Sequence, residues 1–121
     1  MRINFLTLFP EMFQALTKHS IAKRAIEASL VEMESYNIRD YSDDKHKRVD
    51  DAPFGGGAGM VMTPQPIFDC FKAVAACGKT LNVYMSPKGK RLDHTTVLSF
   101  LDYDTINILC GHYEGVDQRV I

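Results

Sequence analysis

Arg2-Ile3-Asn4-Phe5-Leu6-Thr7-Leu8-Phe9-Pro10-Glu11-Met12-Phe13 opens the chain with an apolar run, a proline and a carboxylate. Arg2 to Leu8 reads as a strand, being rich in Ile, Phe and Leu, and Phe9-Pro10 ends it because proline has no N–H for a sheet ladder. From Glu11 onward Phe13, Leu16, Ile21, Ala25 and Ile26 recur at helical spacing, with a break near His19-Ser20. This strand-then-helix unit repeats down the chain. Val31 to Ile38 alternates Val31 and Met33 against Glu32 and Glu34 and reads as a second strand. Thr63-Pro64 opens a helix as a cap followed by proline, and Gly78 closes it. Leu81 to Met85 is a third strand, Asp93 caps a helix running to about Leu101, and Thr105 to Cys110 is a fourth strand. Alternation of this kind predicts an α/β fold, a mostly parallel sheet flanked by helices with right-handed crossovers. Ligands of such sheets lie at the carboxyl ends of the strands.

Between the second strand and the Thr63 helix lies a loop of about twenty residues, long enough that a functional role is expected of it. It contains Arg48-Val49-Asp50-Asp51-Ala52-Pro53-Phe54-Gly55-Gly56-Gly57-Ala58-Gly59-Met60, with four glycines in five positions behind two carboxylates. Glycine lacks a Cβ, so such a run reaches φ > 0 and lets another molecule touch the main chain. A plain linker would carry serine and lack large apolar flanks. Phe54 and Met60 suggest instead a loop anchored into the core. Two familiar phosphate motifs fail here. The dinucleotide fingerprint needs a glycine where Met60 or Met62 stands, and the P-loop needs Gly-Lys-Ser/Thr where Gly59-Met60-Val61 stands.

Composition sets the outer bounds. At 121 residues the chain reads as one domain, residues 1–121, large enough to bury a core without staples. Its 45% hydrophobic and 24% charged content is that of an ordinary globular protein. No apolar run approaches the roughly 20 residues of a membrane span, and Met1-Arg2-Ile3-Asn4-Phe5 lacks a signal-peptide layout. A cytoplasmic location with no membrane association is therefore expected. Cys70, Cys77 and Cys110 are odd in number and widely spaced, against a disulfide framework, and without Cys-x-x-Cys or His-Glu-x-x-His a structural zinc site is not expected. Cys70 and Cys77 stand two helical turns apart, so both are expected to face the core. A net charge of −1 excludes a general electrostatic binder of nucleic acid. Lys45-His46-Lys47-Arg48 is nonetheless a compact basic run just upstream of the glycines, either a solvated loop or a local phosphate contact.

Three loops fall at strand ends and hold glycine beside polar groups. They are Asp50 to Met60, Ser86-Pro87-Lys88-Gly89-Lys90 after the third strand, and Gly111-His112-Tyr113-Glu114-Gly115-Val116-Asp117 after the fourth. One composite site explains all three better than turn chemistry repeated by chance.

Together with Leu8-Phe9-Pro10-Glu11-Met12-Phe13, these stretches resemble the bacterial tRNA (guanine-N1)-methyltransferase family, in order over essentially the whole chain. The resemblance implies methyl transfer from S-adenosylmethionine to N1 of the guanine just 3′ of the anticodon in tRNA. It also implies part of a trefoil-knotted methyltransferase fold and a homodimer with a shared site. Knots are too rare for pattern reading to propose one. By resemblance, Tyr84, Met85, Ser86 and Pro87 line the cofactor pocket, Gly111 meets the methionine end, and Tyr113, Glu114 and Gly115 close it. Glu114 is similar to a carboxylate near the target base that has been linked to a magnesium ion. Arg48, Asp50, Gly55, Gly56, Gly57 and Gly59 look like the surface that receives the tRNA and its flipped guanine, since a base must leave the stack to be alkylated. His112 stands where the family tolerates arginine, so no specific acid–base role is implied for it.

Two departures bear on these expectations. Ala58 stands where the family commonly has proline, and the sequence stops at Ile121. The family continues with a glycine-rich segment that completes the knot, then supplies an Asp as general base and an Arg that steadies charge on the guanine oxygen. The chain therefore reads as the amino-terminal part of such an enzyme, with the domain's fold left incomplete and no activity expected from it alone. Two other readings use the same residues. One is a non-catalytic RNA-binding module built on the basic run and glycine loop; the other is an α/β enzyme for small phosphorylated metabolites, with the glycine loops as anion nests.

Overall fold

The computed structural model describes residues 1–74 and 76–121. In chain order, strand β1 (Arg2–Thr7) is followed by helices α1 (Pro10–Leu16) and α2 (Ser20–Glu27) and by β2 (Glu32–Asn37). Two short strands, β3 (Asp50–Asp51) and β4 (Val61–Met62), bracket the glycine run. Then come α3 (Pro64–Ala73), β5 (Thr80–Tyr84), α4 (His94–Ser99) and β6 (Thr105–Leu109). Single 3-10 turns cover Ile38–Tyr41, Phe100–Asp102 and Gln118–Val120.

The main sheet has the order β2-β1-β6-β5, and every neighbouring pair is parallel. Parallel neighbours need long crossovers, which is why helices separate these strands in sequence. Successive strand residues face opposite sides. On one side Leu6, Leu109, Ile67, Cys70 and Val74 join a single buried cluster that also takes in Ile38, Val49 and Met62. On the other, Phe5 stacks on Phe13 of α1 with ring centroids 4.5 Å apart. Helices thus lie on both faces, as expected for an α/β sheet.

Register is fixed by chemistry as well as by apolar burial. Asn4, Asn107 and Asn82 stand side by side on β1, β6 and β5. The Asn4 amide donates to Asn107 Oδ1 at 2.8 Å, and the Asn107 amide donates to Asn82 Oδ1 at 3.0 Å. Each such bond contributes about 1 kcal/mol net, whereas a one-residue slip would break the row and turn Leu6 out of the core.

The parallel sheet, the break at His19-Ser20 and the Asp93 cap match the sequence reading. Asp93 Oδ1 accepts the Thr96 N–H at 2.8 Å, which holds its carboxyl below the usual carboxylate range. Other expectations fail for local reasons. Thr63 occupies the cap position of α3, but its side chain makes no capping hydrogen bond; Pro64 supplies the preset φ instead. That helix ends at Ala73, where Val74 leaves with ψ 139°, so Gly78 does not close it; the expected continuation crosses Ala75, outside the described residues. Cys77 is consequently exposed, its N–H bonded to Thr105 Oγ1 at 3.1 Å, while Cys70 alone of the pair is buried. Burial pushes the Cys70 thiol up to about 12, which makes it an inert core group. The expected anchoring of the glycine loop by Phe54 also fails, because that ring is 87% exposed. Val49 and Met62, both fully buried, anchor the loop in its place. They sit where β3 begins and β4 ends, and the Thr63 N–H reaches the Val49 carbonyl at 2.9 Å.

Candidate active site

The loop Gly111–Asp117 leaves the sheet from β6, which lies between β1 and β5. The Cys110 N–H donates to the Leu6 carbonyl at 2.9 Å, and the Met85 N–H donates to the Leu109 carbonyl at 3.3 Å. Beyond that point the loop lies along β4. The Glu114 N–H donates to the Met60 carbonyl at 3.0 Å, the Met62 N–H to the Gly115 carbonyl at 2.9 Å, and the Asp117 N–H to the Met62 carbonyl at 2.9 Å. Met62 and Val116 form a parallel bridge. A buried methionine thus joins two loops that lie about fifty positions apart in sequence, where unpaired backbone would otherwise be costly.

This pairing brings together several sequence-selected residues. Gly59, at φ +83°, packs so closely on Glu114 that a Cβ there would overlap Glu114 Cγ and stand 3.0 Å from Oε1. Gly111 lies against the Tyr84 ring, where a Cβ would sit 3.0 Å from Cε2, and a Cβ at Gly115 would sit 4.0 Å from the Tyr84 hydroxyl. Tyr113 holds φ +59°, a conformation that costs a bulky residue about 1–3 kcal/mol and needs its surroundings to enforce it. The neighbouring Glu114–Met60 bond does part of that enforcing. Phe9, His112 and Tyr113 form an edge-on aromatic row, with centroids 5.1 Å and 4.9 Å apart.

Tyr84, Met85, Ser86 and Pro87 line one groove of about 600 Å³, with Leu92, Thr96 and Phe100 on its far wall. That volume falls in the range of small-molecule sites. The Ser86 hydroxyl accepts the Lys88 N–H at 3.2 Å and its carbonyl accepts the Gly89 N–H at 3.2 Å, which sets the turn at the groove's mouth. Gly111 and Gly115 flank the Tyr84 ring rather than line the groove itself. This wall, of which only Thr96 belongs to α4, was not read from sequence as part of a site, since Leu92, Thr96 and Phe100 carry no chemistry that marks them.

The remaining candidates sit beside the glycine run. Asp50 is half-buried on β3, opposite Met62, and shares a hollow of about 240 Å³ with Arg48, Thr63 and Gln65. Gly55, Gly56 and Gly57 take φ of +78°, +85° and +113° in an exposed turn, with open space around the first two. Lys45, His46, Lys47 and Arg48 are all exposed. Their backbone is tied down by Asp44, whose carboxylate accepts the His46 N–H at 2.8 Å and the Arg48 N–H at 3.2 Å and so stays below the usual carboxylate range. Sequence reasoning missed a second hollow, about 460 Å³, walled by Phe54, Val61, Val116 and Arg119. The Arg119 guanidinium stands 5.7 Å from the Phe54 ring centre. No sequence pattern pairs two residues so far apart.

Asp117 and Arg119 form a forked pair, Nε to Oδ1 at 2.9 Å and Nη2 to Oδ2 at 2.8 Å. The Arg119 side-chain hydrogen bonds, helped by its own N–H, hold the Asp117 carboxyl down at about 2 from 3.8. A depressed folded value means that the pair's contribution is complete above the unfolded carboxylate range and lost as pH falls toward about 2. Arg119→Ala should therefore move the Asp117 carboxyl midpoint part-way back toward 3.8, read by carboxyl-carbon NMR titration. An unchanged midpoint would assign the shift to the backbone alone. Among the described residues no group of three or more His, Cys, Asp or Glu comes together to hold a metal ion.

Residues 1–121 match the family model described as tRNA (Guanine-1)-methyltransferase TrmD. The chain belongs to this family. It is 49% identical over 124 residues to the tRNA (guanine-N(1)-)-methyltransferase of Clostridioides difficile, covering 100% of this chain and 54% of that relative. It is 52% identical over 120 residues to the enzyme of the same name from Caldanaerobacter subterraneus subsp. tengcongensis, covering 99% of this chain and 50% of the relative. The chain thus spans about half the length of these curated relatives. In structure it resembles the crystal structure of tRNA (m1G37) methyltransferase from Aquifex aeolicus, with a TM-score of 0.87 at 33% identity, covering 99% of this chain and 55% of that one. No helix among the described residues is long and apolar enough to cross a membrane.

Proposed function

We propose that these residues form the amino-terminal part of a tRNA (guanine-N1)-methyltransferase, which moves a methyl group from S-adenosylmethionine to N1 of the guanine 3′ of the anticodon. The observation that carries the reading is the joining of the glycine run to the Gly111–Asp117 loop at the carboxyl end of β6, beside the Tyr84 groove. Carboxyl ends of parallel strands are where such sheets hold ligands.

The residues present fit the cofactor. Tyr84, Met85, Ser86 and Pro87 offer a groove of suitable volume, and the bare Gly111 backbone lets the Tyr84 ring pack beside it. When bound there, S-adenosylmethionine supplies an electrophilic methyl group on a sulfonium. The chain's own part is to bind, orient and exclude water, with Tyr113, Glu114 and Gly115 closing over the ligand. Gly55, Gly56, Gly57 and Gly59 give a flat base room against bare backbone, Asp50 accepts from its edge, and Arg48 with Lys45 and Lys47 holds phosphates. Glu114 is a second carboxylate that would accept a hydrogen bond from the target guanine. A homodimer in the cytoplasm is the expected form of the complete enzyme.

The test is methyl transfer from labelled S-adenosylmethionine to tRNA transcripts carrying guanine or adenine at the target position. It compares this chain with one extended to the length of its relatives. Transfer by the extended chain alone, confined to the guanine transcript, is the expected result. Silence from both would sink the reading; salt-sensitive tRNA binding without any cofactor effect would then favour a binding module.

A further inference from the structure

Glu114 sits at the surface on a loop, where a carboxylate on a flexible stem normally samples several rotamers. Three features restrain this one. Its N–H is tied to Met60, the preceding residue is locked at a positive φ, and its side chain lies flush on the bare Cα of Gly59. The third is specific. Gly55 and Gly56 have φ close to that of Gly59, yet a Cβ at either would meet no atom within 4 Å. Their backbone calls for glycine through conformation alone. Gly59 answers a second demand, because a methyl there would occupy the place of Glu114 Cγ and stand 3.1 Å from its carboxyl carbon. The carboxylate would have to swing away or push the two paired loops apart.

We propose that Gly59 is a positioning residue that acts through Glu114: its missing side chain forms the floor on which the carboxylate rests at the angle needed for the target base. The inference rests on the methyltransferase reading and deepens it. It gives Gly59 a part separate from receiving the guanine, and it makes the glycine run and the Gly111–Asp117 loop one unit in function as well as in backbone pairing. A displacement of about 1 Å at a reacting centre lowers a rate by roughly 100-fold.

The test is a double-mutant cycle in the chain extended to its relatives' length: Gly59→Ala, Glu114→Ala and the pair, with Gly56→Ala calibrating the cost of alanine at a positive φ. The readouts are single-turnover rate, KM for each substrate, and thermal midpoint. Gly59→Ala should lower the single-turnover rate about 100-fold with KM values changed only a few-fold. Added to Glu114→Ala, it should change the rate by no more than about threefold, because the group it displaces is gone. Its thermal-midpoint loss should also shrink in that background to the size of the Gly56→Ala loss. A Gly59→Ala protein that folds only when Glu114 is also removed would support the contact. Losses that multiply independently, a rise in KM with rate intact, or unfolding in both backgrounds would place the effect in the backbone or in substrate binding and overturn the proposal. An inactive parent would instead sink the methyltransferase reading, whereas an active parent with uncoupled losses would sink only the role of Gly59.

Discussion

Glu114→Ala, placed in the chain extended to its relatives' length, is expected to lower single-turnover methyl transfer about 100- to 1,000-fold while largely sparing tRNA affinity. The two effects separate because they have different physical sources. On the proposed reading, affinity for tRNA would come mainly from phosphates, neutralised by cations such as Lys45, Lys47 and Arg48, and all of these side chains are exposed and remote from the substitution in sequence. Rate, on the same reading, depends on the Glu114 carboxylate, whose N–H is tied to Met60 and whose side chain packs on Gly59. Removing one oriented polar group from a transition state lowers rates about 100- to 1,000-fold. Glu114→Gln keeps an acceptor oxygen and the same packing against Gly59, so it should fall between wild type and alanine. Single-turnover methyl transfer and filter binding at two salt concentrations read both quantities. Normal turnover by the alanine variant would remove Glu114 from the site. Equal losses of binding and rate would make it a tRNA contact instead.

The legible part of this molecule was whatever local pattern dictates. The apolar run Arg2–Thr7, the proline stop, the Asp93 cap and the Thr105–Leu109 strand each carry their signal within a few residues. Their alternation gave a parallel sheet that the structure bears out in full. What pattern does not contain is long-range pairing. Phe54 looked like an anchor because it is aromatic and flanks the glycines, yet it is the silent-looking Val49 and Met62 that are buried. Cys77 looked inward only on the assumption that α3 ran past Val74, and no residue there forbids a longer helix by propensity alone. The Asn4–Asn107–Asn82 row shows the same limit: three asparagines scattered through the sequence become a hydrogen-bonded line only once strand order is known. For the candidate site, spacing selected the three loops, and family resemblance supplied the roles. Geometry alone revealed that Gly59 and Glu114 touch.

Leu6→Ala should cause the largest loss of stability among the core residues considered. Leu6 has no exposed surface, sits near the carboxyl end of β1 opposite Leu109, and joins the cluster that includes Ile67, Cys70 and Met62. Truncating such a leucine removes its transfer free energy and leaves a cavity that a rigid sheet closes poorly, about 2–5 kcal/mol in all. Domains of this size carry only about 5–15 kcal/mol, so a large part of the folded population's margin would go. Ile21→Ala is the control. That residue is 80% exposed on α2, and its truncation should stay within about 0.5 kcal/mol. Urea midpoints measured side by side decide the matter, and equal midpoints for the two variants would contradict the assigned core. The loss should also reach the candidate site. The Leu6 carbonyl accepts the Cys110 N–H, one residue before Gly111, so any shift of β1 moves the root of the loop that carries Glu114. Amide exchange at Cys110 should therefore speed up in Leu6→Ala even well below the unfolding midpoint, while Ile21→Ala leaves it unchanged. Exchange at Cys110 that follows only global unfolding would uncouple the core from the loop and confine the effect of Leu6 to stability.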